Sequence, residues 1–346
     1  MDRTARSPAT MQDVAQLARV SVKSVSNVLS GYAHVSTKLR DRVMVAVSEL
    51  DYEINISARN LRVGRTHVLG LAVPELSQAY FAELADSVIR AAGARGYTVL
   101  IEQTMADPSI EINAIVAMRK HSIDGLIYSP LALGADDVHR LDVDFPLVVL
   151  GERVAGSRAD HVTMSNEAAM RAATDHILAL GRRRIAVIGA RPDGPVGTGE
   201  SRLRGYTNAL TNHGIEVDPA LVVTAALWHR ANGVKAMDRL LASGVPFDAV
   251  VCFNDALALG AMRSLHRGGR RIPEDVAVVG FDDIEDSAYS TPSLTTVSPR
   301  RDDIARSAVD LLVDRIEGLT MRTAPEQVEI GYALVIRESS AGIPIV

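Results

Sequence analysis

Polar side chains recur at helical spacing close to the N-terminus. Val22, Lys23 and Asn27 fall on one side of a short segment, and hydroxyl and amide groups surround them. Lysine can donate to guanine, asparagine can pair with adenine, and valine can contact a thymine methyl group. The candidates for phosphate contacts are Gln12, Ser21, Ser24, Ser26 and Thr37. These types and spacings favour DNA recognition, although each serine is equally suited to capping a helix or facing solvent.

The stretch from Thr10 to Leu29 must supply the helices that present these groups. Thr10 predicts a helix N-cap, with Asp13 completing a capping-box pattern, and Ser21 predicts a second N-cap. The expected buried faces are Val14, Leu17 and Ala18 in the first helix and Val25, Val28 and Leu29 in the second. Two short helices around a tight turn are typical of a helix-turn-helix, whose second helix enters the major groove.

A third helix should begin after Ser36. Leu39, Val43, Val47 and Leu50 follow at helical spacing, so a small three-helix domain should end near residue 52. Thr10 and Ser36, at helix starts, complete the expected DNA-contacting set of the head. Residues 1–65 carry ten Lys and Arg against six Asp and Glu, although the whole chain has a net charge of −5. A basic head on an acidic body fits DNA contact through the head alone.

The head closely resembles that of the lactose-repressor (LacI/GalR) family of bacterial transcription regulators. The resemblance lies in Asp13-Val14-Ala15, Val20-Ser21, Val25-Ser26-Asn27-Val28-Leu29 and His34-Val35-Ser36. Many relatives carry arginine at the position of Asn27, which implies that this chain prefers a different base. The resemblance also identifies residues 55–66 as a hinge helix that folds over DNA. It implies contacts by Asn55, close helix approach at Ala58 and a minor-groove wedge at Leu61. The alternative is a flexible linker.

From His67 onward, apolar runs alternate with amphipathic segments. Strands are predicted at 68–73, 97–101, 125–128, 147–150, 185–188, 249–253 and 276–281. Helices are predicted at 82–95, 110–121, 167–180, 201–213, 231–241, 256–267 and 301–317. The repetition predicts a doubly wound α/β fold with parallel sheets, which bind ligands beyond the carboxyl ends of their strands.

The body resembles the two-lobed, periplasmic-binding-protein-like core of the same family. The resemblance implies a head at 1–54, a hinge at 55–66 and a ligand-binding core at 67–346. Within the core it implies an N-lobe of about 67–164 and 298–328 and a C-lobe of about 165–297 and 329–346. The chain would cross between lobes near 164, 298 and 328.

The resemblance also marks six residues that would bind a ligand between the lobes. They are Tyr80, Phe81, Arg202, Trp228, Asn254 and Asp282. Arg202 begins the motif Arg-x-x-Gly-aromatic, and its guanidinium presents donors suited to hydroxyls or carboxylates. Asn254 is expected to face the ligand while Asp255 caps the following helix. The alternatives are a core role for Tyr80, Phe81 and Trp228, and a simple turn at Asp282-Asp283.

One position departs from the family. Relatives often carry an aspartate for a sugar hydroxyl after the fourth strand, where this chain has Gly151 followed by Glu152. The remaining polar set still favours a carbohydrate, with a purine acting as corepressor or another small polar metabolite as the alternative.

The sequence carries no signature of a metal site, a cofactor or catalysis. It contains neither HExxH nor CxxC, it has no GxxxxGK loop, and Gly199-Glu200-Ser201-Arg202-Leu203 lacks the last glycine of a nucleophile elbow. The single cysteine, Cys252, lies in an apolar run and is expected to be an inert core residue. No apolar stretch has the length of a membrane span, and no secretory signal begins the sequence, which favours the cytoplasm.

Together these features predict a homodimeric regulator, and more specifically a repressor, that binds a pseudo-palindromic operator under effector control. It would not be an enzyme. The alternatives from other classes are a solute-binding protein of a transporter and an α/β enzyme acting on a sugar. The helix-turn-helix head argues against both.

Overall fold

The computed structural model of the 346-residue chain describes residues 9–29, 32, 34–52, 65–121, 123–152, 154, 157–191, 197–319 and 324–341. The chain divides into two compact units, residues 1–66 and 67–346. Within the described residues, no helix is both long enough and apolar enough to cross a membrane.

The first unit contains three short helices whose starts are fixed by hydroxyl caps. They are α1 (Met11–Leu17), α2 (Val22–Leu29) and α3 (Thr37–Glu49). Thr10 Oγ1 accepts from the Asp13 amide at 3.3 Å while Asp13 Oδ2 accepts from the Thr10 amide at 2.8 Å, which is the predicted capping box. Ser36 Oγ accepts from the amide of Leu39 at 3.3 Å in the same manner. The predicted caps of all three helices are therefore present, since Ser21 Oγ also accepts from the Ser24 amide.

The core of the head differs from the sequence prediction at one residue. Val14 and Ala18 are buried as predicted, but Leu17 is 45% exposed and Ala15 is buried instead. At 100° per residue, positions 14, 15 and 18 span one arc, and position 17 falls outside it. The prediction that Leu17 joins the buried face is wrong, because the side of this short helix that packs against the core is centred between Val14 and Ala15.

The second unit contains two parallel-type sheets. Its strands are β1 (Val68–Val73), β2 (Thr98–Gln103), β3 (Gly125–Tyr128), β4 (Leu147–Leu150), β5 (Asp160–Met164), β6 (Ile185–Ala190), β7 (Val222–Thr224), β8 (Ala249–Cys252), β9 (Ala277–Phe281), β10 (Thr295–Ser298), β11 (Gln327–Ile330) and β12 (Ala333–Val335). The first sheet has the order β11-β5-β4-β3-β1-β2, and the second has the order β12-β10-β9-β8-β6-β7. All pairs are parallel except β10 with β12.

Helices cover both sheets. They are α4 (Ala79–Ala94), α5 (Pro108–Lys120), α6 (Asn166–Ala179), α7 (Thr198–Asn212), α8 (Arg230–Ser243), α9 (Asp255–Arg267), α10 (Glu285–Tyr289), α11 (Arg301–Glu317) and α12 (Glu338–Ala341). Helices α4 and α11 share one apolar cluster with the first sheet, and α5 belongs to a second cluster on that sheet. Helices α6 to α9 join a single large cluster with the second sheet. Each predicted helix of the body is present, and the doubly wound α/β fold is confirmed.

Strands β5, β7, β10, β11 and β12 were not among the predicted runs. Their sequences are short or contain polar residues, as in Asp160-His161-Val162-Thr163-Met164 for β5. Three of them, β7, β11 and β12, are edge strands that need only partial burial. Apolar runs therefore locate the strands with continuous apolar sequence, including the edge strand β2, and miss strands that are short or contain polar residues.

The chain passes between the two sheets three times. The passages follow Met164 at the end of β5, Ser298 at the end of β10, and Ile330 at the end of β11. The last lies slightly beyond the predicted position near residue 328. We call the part built on the first sheet the first lobe and the part built on the second sheet the second lobe.

Candidate functional site

The second helix of the head exposes the residues expected to contact bases. Val22 is 42% exposed, and Lys23 beside it in the first turn is exposed as well. Asn27, one turn further on, and Ser26 are half-buried. Val25 and Val28 face the core, so the helix presents its polar side as predicted. Base contact by this surface stays a prediction.

The hydroxyl groups at the helix starts have structural bonds of their own. Thr10 Oγ1 accepts from the Asp13 amide and also donates to Asp13 Oδ2 at 2.7 Å. This hydroxyl and the Thr10 amide, which both donate to the carboxylate, lower the pKa of Asp13. The hydroxyls of Ser21 and Ser24 lie 2.9 Å apart. The Thr10 hydroxyl therefore both donates and accepts a hydrogen bond within the cap. The exposed side chains of Gln12 and Thr37 are better placed for contact with phosphate. Asn55, Ala58 and Leu61, the predicted hinge contacts, lie outside the described residues.

A cavity of about 430 Å³ lies between the carboxyl ends of the strands of both sheets. Its walls include residues that follow β1, β3 and β4 in the first lobe and β6, β8 and β9 in the second. All six residues predicted to bind a ligand line it: Tyr80, Phe81, Arg202, Trp228, Asn254 and Asp282. The tertiary structure thus brings together side chains that are as much as 202 positions apart in the chain.

Arg202 lies at the base of the cavity and is 2% exposed. Its Nε donates to Asn166 Oδ1 at 2.8 Å, and its Nη1 donates to the Phe253 carbonyl. The guanidinium carbon lies 3.4 Å from the centroid of the Phe281 ring. Burial lowers the pKa of Arg202, but an arginine stays protonated in proteins, so the cavity holds a fixed buried cation.

Asp282 supplies the charge opposite Arg202. Its Oδ1 lies 3.9 Å from Arg202 Nη2, and the residue is 6% exposed. Burial raises the pKa of Asp282 well above its usual value, and the arginine opposes that rise. The backbone has φ values of +119° at Asp282 and +51° at Asp283, a left-handed region that is costly for non-glycine residues.

The Asp282-Asp283 turn is held from several sides. Arg301 donates to the carbonyls of both residues, with a distance of 2.9 Å to that of Asp283. The Asp282 amide donates to the Val297 carbonyl at 2.8 Å, and Arg337 Nη2 donates to Asp283 Oδ1 at 2.7 Å. These bonds hold the backbone from which the Asp282 side chain extends into the cavity.

Asn254, and not Asp255, is the cap of α9. Asn254 Oδ1 caps α9 by accepting from the Leu257 amide at 2.9 Å, and its Nδ2 donates to the Trp228 carbonyl at 3.0 Å. The prediction that Asp255 is the cap is wrong. Asp255 is fully buried and accepts from the Ile284 amide and from two hydroxyls. Asn254 still lines the cavity, with one amide proton left for a ligand.

The aromatic residues form an apolar wall and are also packed. Tyr80 and Phe81 lie in the first turn of α4, whereas the sequence placed them in the loop before it, and their rings meet edge to face at 5.2 Å. Burial raises the pKa of Tyr80. Trp228 Nε1 donates to the Gly189 carbonyl at 3.1 Å, and its ring packs against Phe253. These aromatic side chains therefore pack against their neighbours and also line the cavity.

Glu152 is a cavity residue whose role the sequence did not assign. Its Oε2 accepts from Thr198 Oγ1 at 2.9 Å, and its Oε1 accepts from Asn166 Nδ2. It lies two residues beyond the end of β4, and Asp282 lies one residue beyond the end of β9, so its place beyond a strand end was the available signal. Glu75, in the loop after β1, likewise reaches across the cavity, since its Oε2 lies 2.9 Å from His229 Nε2.

Other chemistry has little support within the described residues. There, no group of three or more His, Cys, Asp or Glu side chains is arranged to hold a metal ion. Cys252 is fully buried, and burial raises the pKa of its thiol, which fits the predicted role as a core residue. The groups that line the cavity include a buried ion pair, a hydrogen-bonding amide and aromatic rings.

Comparison with known proteins agrees with both units. Residues 10–55 match the family described as bacterial regulatory proteins, lacI family, and residues 174–340 match the periplasmic binding protein-like domain. The ribose operon repressor of Halalkalibacterium halodurans is 33% identical over 335 residues, which cover 96% of this chain and 97% of the relative.

Solved structures show the same relationship. A LacI-family regulator from Sanguibacter keddieii is 48% identical with a TM-score of 0.74, covering 80% of this chain and 100% of that chain. The lac repressor dimer bound to operator and an anti-inducer is 26% identical with a TM-score of 0.85, covering 96% of this chain and 99% of that chain. These matches confirm the resemblance seen in the sequence, and the chain belongs to the lacI family of bacterial regulatory proteins.

Proposed function

We propose that this protein is a transcription repressor whose affinity for a pseudo-palindromic operator is controlled by a sugar bound between the two lobes. The observation that carries the proposal is the pairing of two features in one chain. The head exposes Val22 and Lys23 on a helix built for the major groove, and the body encloses Arg202 and Asp282 in a cavity. A DNA-binding helix and a ligand cavity in one chain are what a regulator controlled by an effector requires.

The sugar assignment rests on the chemistry of the cavity wall. Arg202 and Asp282 offer a donor and an acceptor to vicinal hydroxyls, and Trp228 and Phe81 offer apolar faces to a pyranose or furanose ring. The similarity to a ribose operon repressor supports the same class. The alternative is a purine or another small polar metabolite that acts as a corepressor.

Operator binding is proposed to need a homodimer. Two heads are required to reach successive major grooves of a palindromic site, and the similar lac repressor structure is a dimer on its operator. In this proposal residues 1–54 form the head, residues 55–66 form a hinge in which Leu61 wedges into the minor groove, and residues 67–346 form the core. The site of action is the cytoplasm, and the protein acts by binding, without catalysis.

The decisive experiment selects bound fragments from the source genome with the purified full-length protein and then measures affinity against salt. We expect a short palindromic consensus and a steep fall in affinity with salt, because lysine and arginine displace counterions from the phosphates. Weak binding without a consensus, both alone and with sugars or purine bases added, would contradict the proposal.

Effector control is measured with the selected operator. Ribose, glucose, galactose, cellobiose, adenine and hypoxanthine are added singly, and operator affinity is followed by fluorescence anisotropy. We expect one sugar to lower operator affinity by at least fivefold, within the usual range of allosteric coupling. A purine that raises operator affinity, with no effect of any sugar, would replace the sugar proposal with the corepressor alternative.

A further inference from the structure

Glu152 joins the two lobes at the cavity wall. It belongs to the first lobe, just beyond β4, but both partners of its carboxylate belong to the second lobe. Thr198 Oγ1, at the start of α7, donates to Oε2 at 2.9 Å, and Asn166 Nδ2, at the start of α6, donates to Oε1. Two donors from separate helices fix the orientation of the carboxylate in the wall.

Asn166 connects Glu152 to the buried arginine. Its Nδ2 donates to Glu152 while its Oδ1 accepts from Arg202 Nε at 2.8 Å, so the amide is used at both ends. Asn166 is 2% exposed, and its orientation is set by these two partners. Glu152, Asn166 and Arg202 therefore form one hydrogen-bonded row, in which the buried Asn166 joins two residues of the cavity wall.

The charges of the cavity wall balance unevenly. Its carboxylates are Glu75, Glu152, Glu200 and Asp282, and its guanidinium groups are Arg191 and Arg202. Three of the four carboxylates have a basic partner: Glu75 has His229, Glu200 has Arg204, and Asp282 has Arg202. Among the described residues, no ion pair joins a basic side chain to Glu152, whose partners Asn166 and Thr198 are neutral. Glu152 is therefore a wall carboxylate whose hydrogen-bond partners are neutral, although it lies close enough to Arg202 to favour the charged form of that guanidinium. With Arg191 counted, the wall still has four carboxylates and only two guanidinium groups.

We infer that Glu152 contacts the effector and selects for an uncharged or cationic sugar against sugar acids and sugar phosphates. The inference rests on the proposed function, in which the cavity holds a sugar. An ionised carboxylate has about four acceptor sites and no donor, and Asn166 and Thr198 use two of them. The remaining sites accept from ligand hydroxyl or ammonium groups, whereas an anion at the same place would meet a like charge away from bulk water.

The test uses matched ligands that differ in charge on one skeleton. Full-length protein is titrated by calorimetry at pH 7 with glucose, glucosamine, glucuronate and glucose 6-phosphate, with ribose and ribose 5-phosphate, and with galactose and galacturonate. We expect an uncharged or amino sugar to bind best, and its anionic derivative to bind at least 30-fold more weakly. An anionic sugar that binds best would overturn the inference.

Glu152→Gln separates charge from shape. Glutamine keeps an oxygen acceptor and a similar volume, so we expect the variant to melt within a few degrees of the parent. The ratio of neutral to anionic affinity should fall at least tenfold. Glu167→Gln is the matched control, because Glu167 follows Asn166 in α6 and is paired with Arg204 but does not line the cavity. That control should leave the ratio unchanged within twofold.

The outcomes distinguish this inference from the proposed function. If a neutral sugar binds and shifts operator affinity but Glu152→Gln leaves the ratio unchanged, the selection by Glu152 is wrong and the proposed function stands. If no sugar of any charge binds while operator binding is intact, the sugar assignment is wrong, and the inference falls with it.

Discussion

A buried arginine in α7 and a buried aspartate at the end of β9 give this cavity its character. Arg202 and Asp282 are both almost fully buried and 3.9 Å apart, so each lowers the cost of desolvating the other. Removal of either side chain leaves the other buried without its nearest opposite charge. This interdependence makes conservative substitutions more informative than truncations.

Asp282→Asn should remove the effector response and keep operator binding. Asparagine tolerates the positive φ of this turn, but it removes the charge facing Arg202 and one acceptor from the cavity. We expect effector affinity to fall at least tenfold in calorimetry. Asp286→Asn, in an exposed pair with Arg230, is the control and should bind normally. A normal effector response in Asp282→Asn would take this residue out of the site.

Asp255 should make stability fall as the pH rises toward neutrality. Burial raises its pKa to about 7, so the fold favours its protonated form. The stability that Asp255 gains from its raised pKa is present in full below pH 4 and is lost as the pH rises through 7. Each unit of difference between the folded and unfolded pKa is worth about 1.4 kcal/mol of unfolding free energy. The unfolding free energy of the parent, measured relative to Asp255→Asn, should therefore decline between pH 4 and 8.

Asp275→Asn provides the contrasting case for that measurement. Arg271 lowers the pKa of the half-buried Asp275 to about 2, so the contribution of this carboxylate to stability is complete above pH 5. The unfolding free energy of the parent relative to this variant, measured in urea, should not change between pH 5 and 8. A flat profile for Asp255→Asn as well would show that Asp255 is ionised throughout.

At the scale of elements, the motif that carries Arg202 also sets a helix contact. Gly205 lies one turn after Arg202 in α7, where α7 packs against α6. A Cβ at Gly205 would lie 2.3 Å from the Glu167 carbonyl oxygen and 2.9 Å from the Arg171 amide nitrogen. Both are backbone atoms of α6, so the two helices would have to move apart. The glycine of the motif is thus structural, while the arginine faces the cavity.

Gly205→Ala should destabilise the protein by about 2 kcal/mol or more, because the clash is with backbone and cannot be relieved by a side-chain rotation. Effector affinity should fall as well, since α7 carries Arg202. Gly93→Ala in α4 is the control: nothing lies within 4 Å of its Cβ position, and alanine should stabilise by about 0.5–1 kcal/mol. Chemical denaturation measures both, and a Gly205→Ala protein as stable as the parent would contradict the close contact.

At the scale of the whole molecule, side chains of the first lobe are tied to the turn that carries Asp282. Arg301 at the start of α11 donates to that turn and pairs with Glu83 of α4 at 2.5 Å. Glu83 also accepts from the Glu285 amide of the second lobe at 3.0 Å. A ligand that changes the position of Asp282 would act on this junction, which is where lobe movement can be coupled to binding.

Glu83→Gln should weaken coupling more than binding. Glutamine keeps an acceptor for the Glu285 amide but loses the ion pair with Arg301. If that ion pair forms in only one of the two arrangements of the lobes, its loss reduces the energy difference between them. We expect effector affinity of the free protein to change less than threefold, while the effect of effector on operator affinity falls at least fivefold. Asp86→Asn, one turn along α4 and paired with Arg90, is the control for the anisotropy titration. Equal loss of binding and coupling would show that Glu83 acts on the cavity alone.

The amino-acid sequence by itself determined much of this architecture. Helix caps, the face of α2 and the alternation of strands and helices are local, because hydroxyl caps and apolar periodicity act within a few residues. The six cavity residues were named by family resemblance, and all six line the cavity. Local patterns failed at Leu17, whose burial depends on how a seven-residue helix turns against its neighbours.

Only the tertiary structure decided which side chains meet across the cavity. Asn254 rather than Asp255 caps α9 because Ile284, Ser287 and Thr296 draw the Asp255 side chain into the core. Glu152 gained its place because Thr198 and Asn166, distant in sequence, approach it from the second lobe. Spacing along a chain fixes what a helix or strand can present, but the partner of a buried charge is set by the packing of elements that the chain brings together from afar.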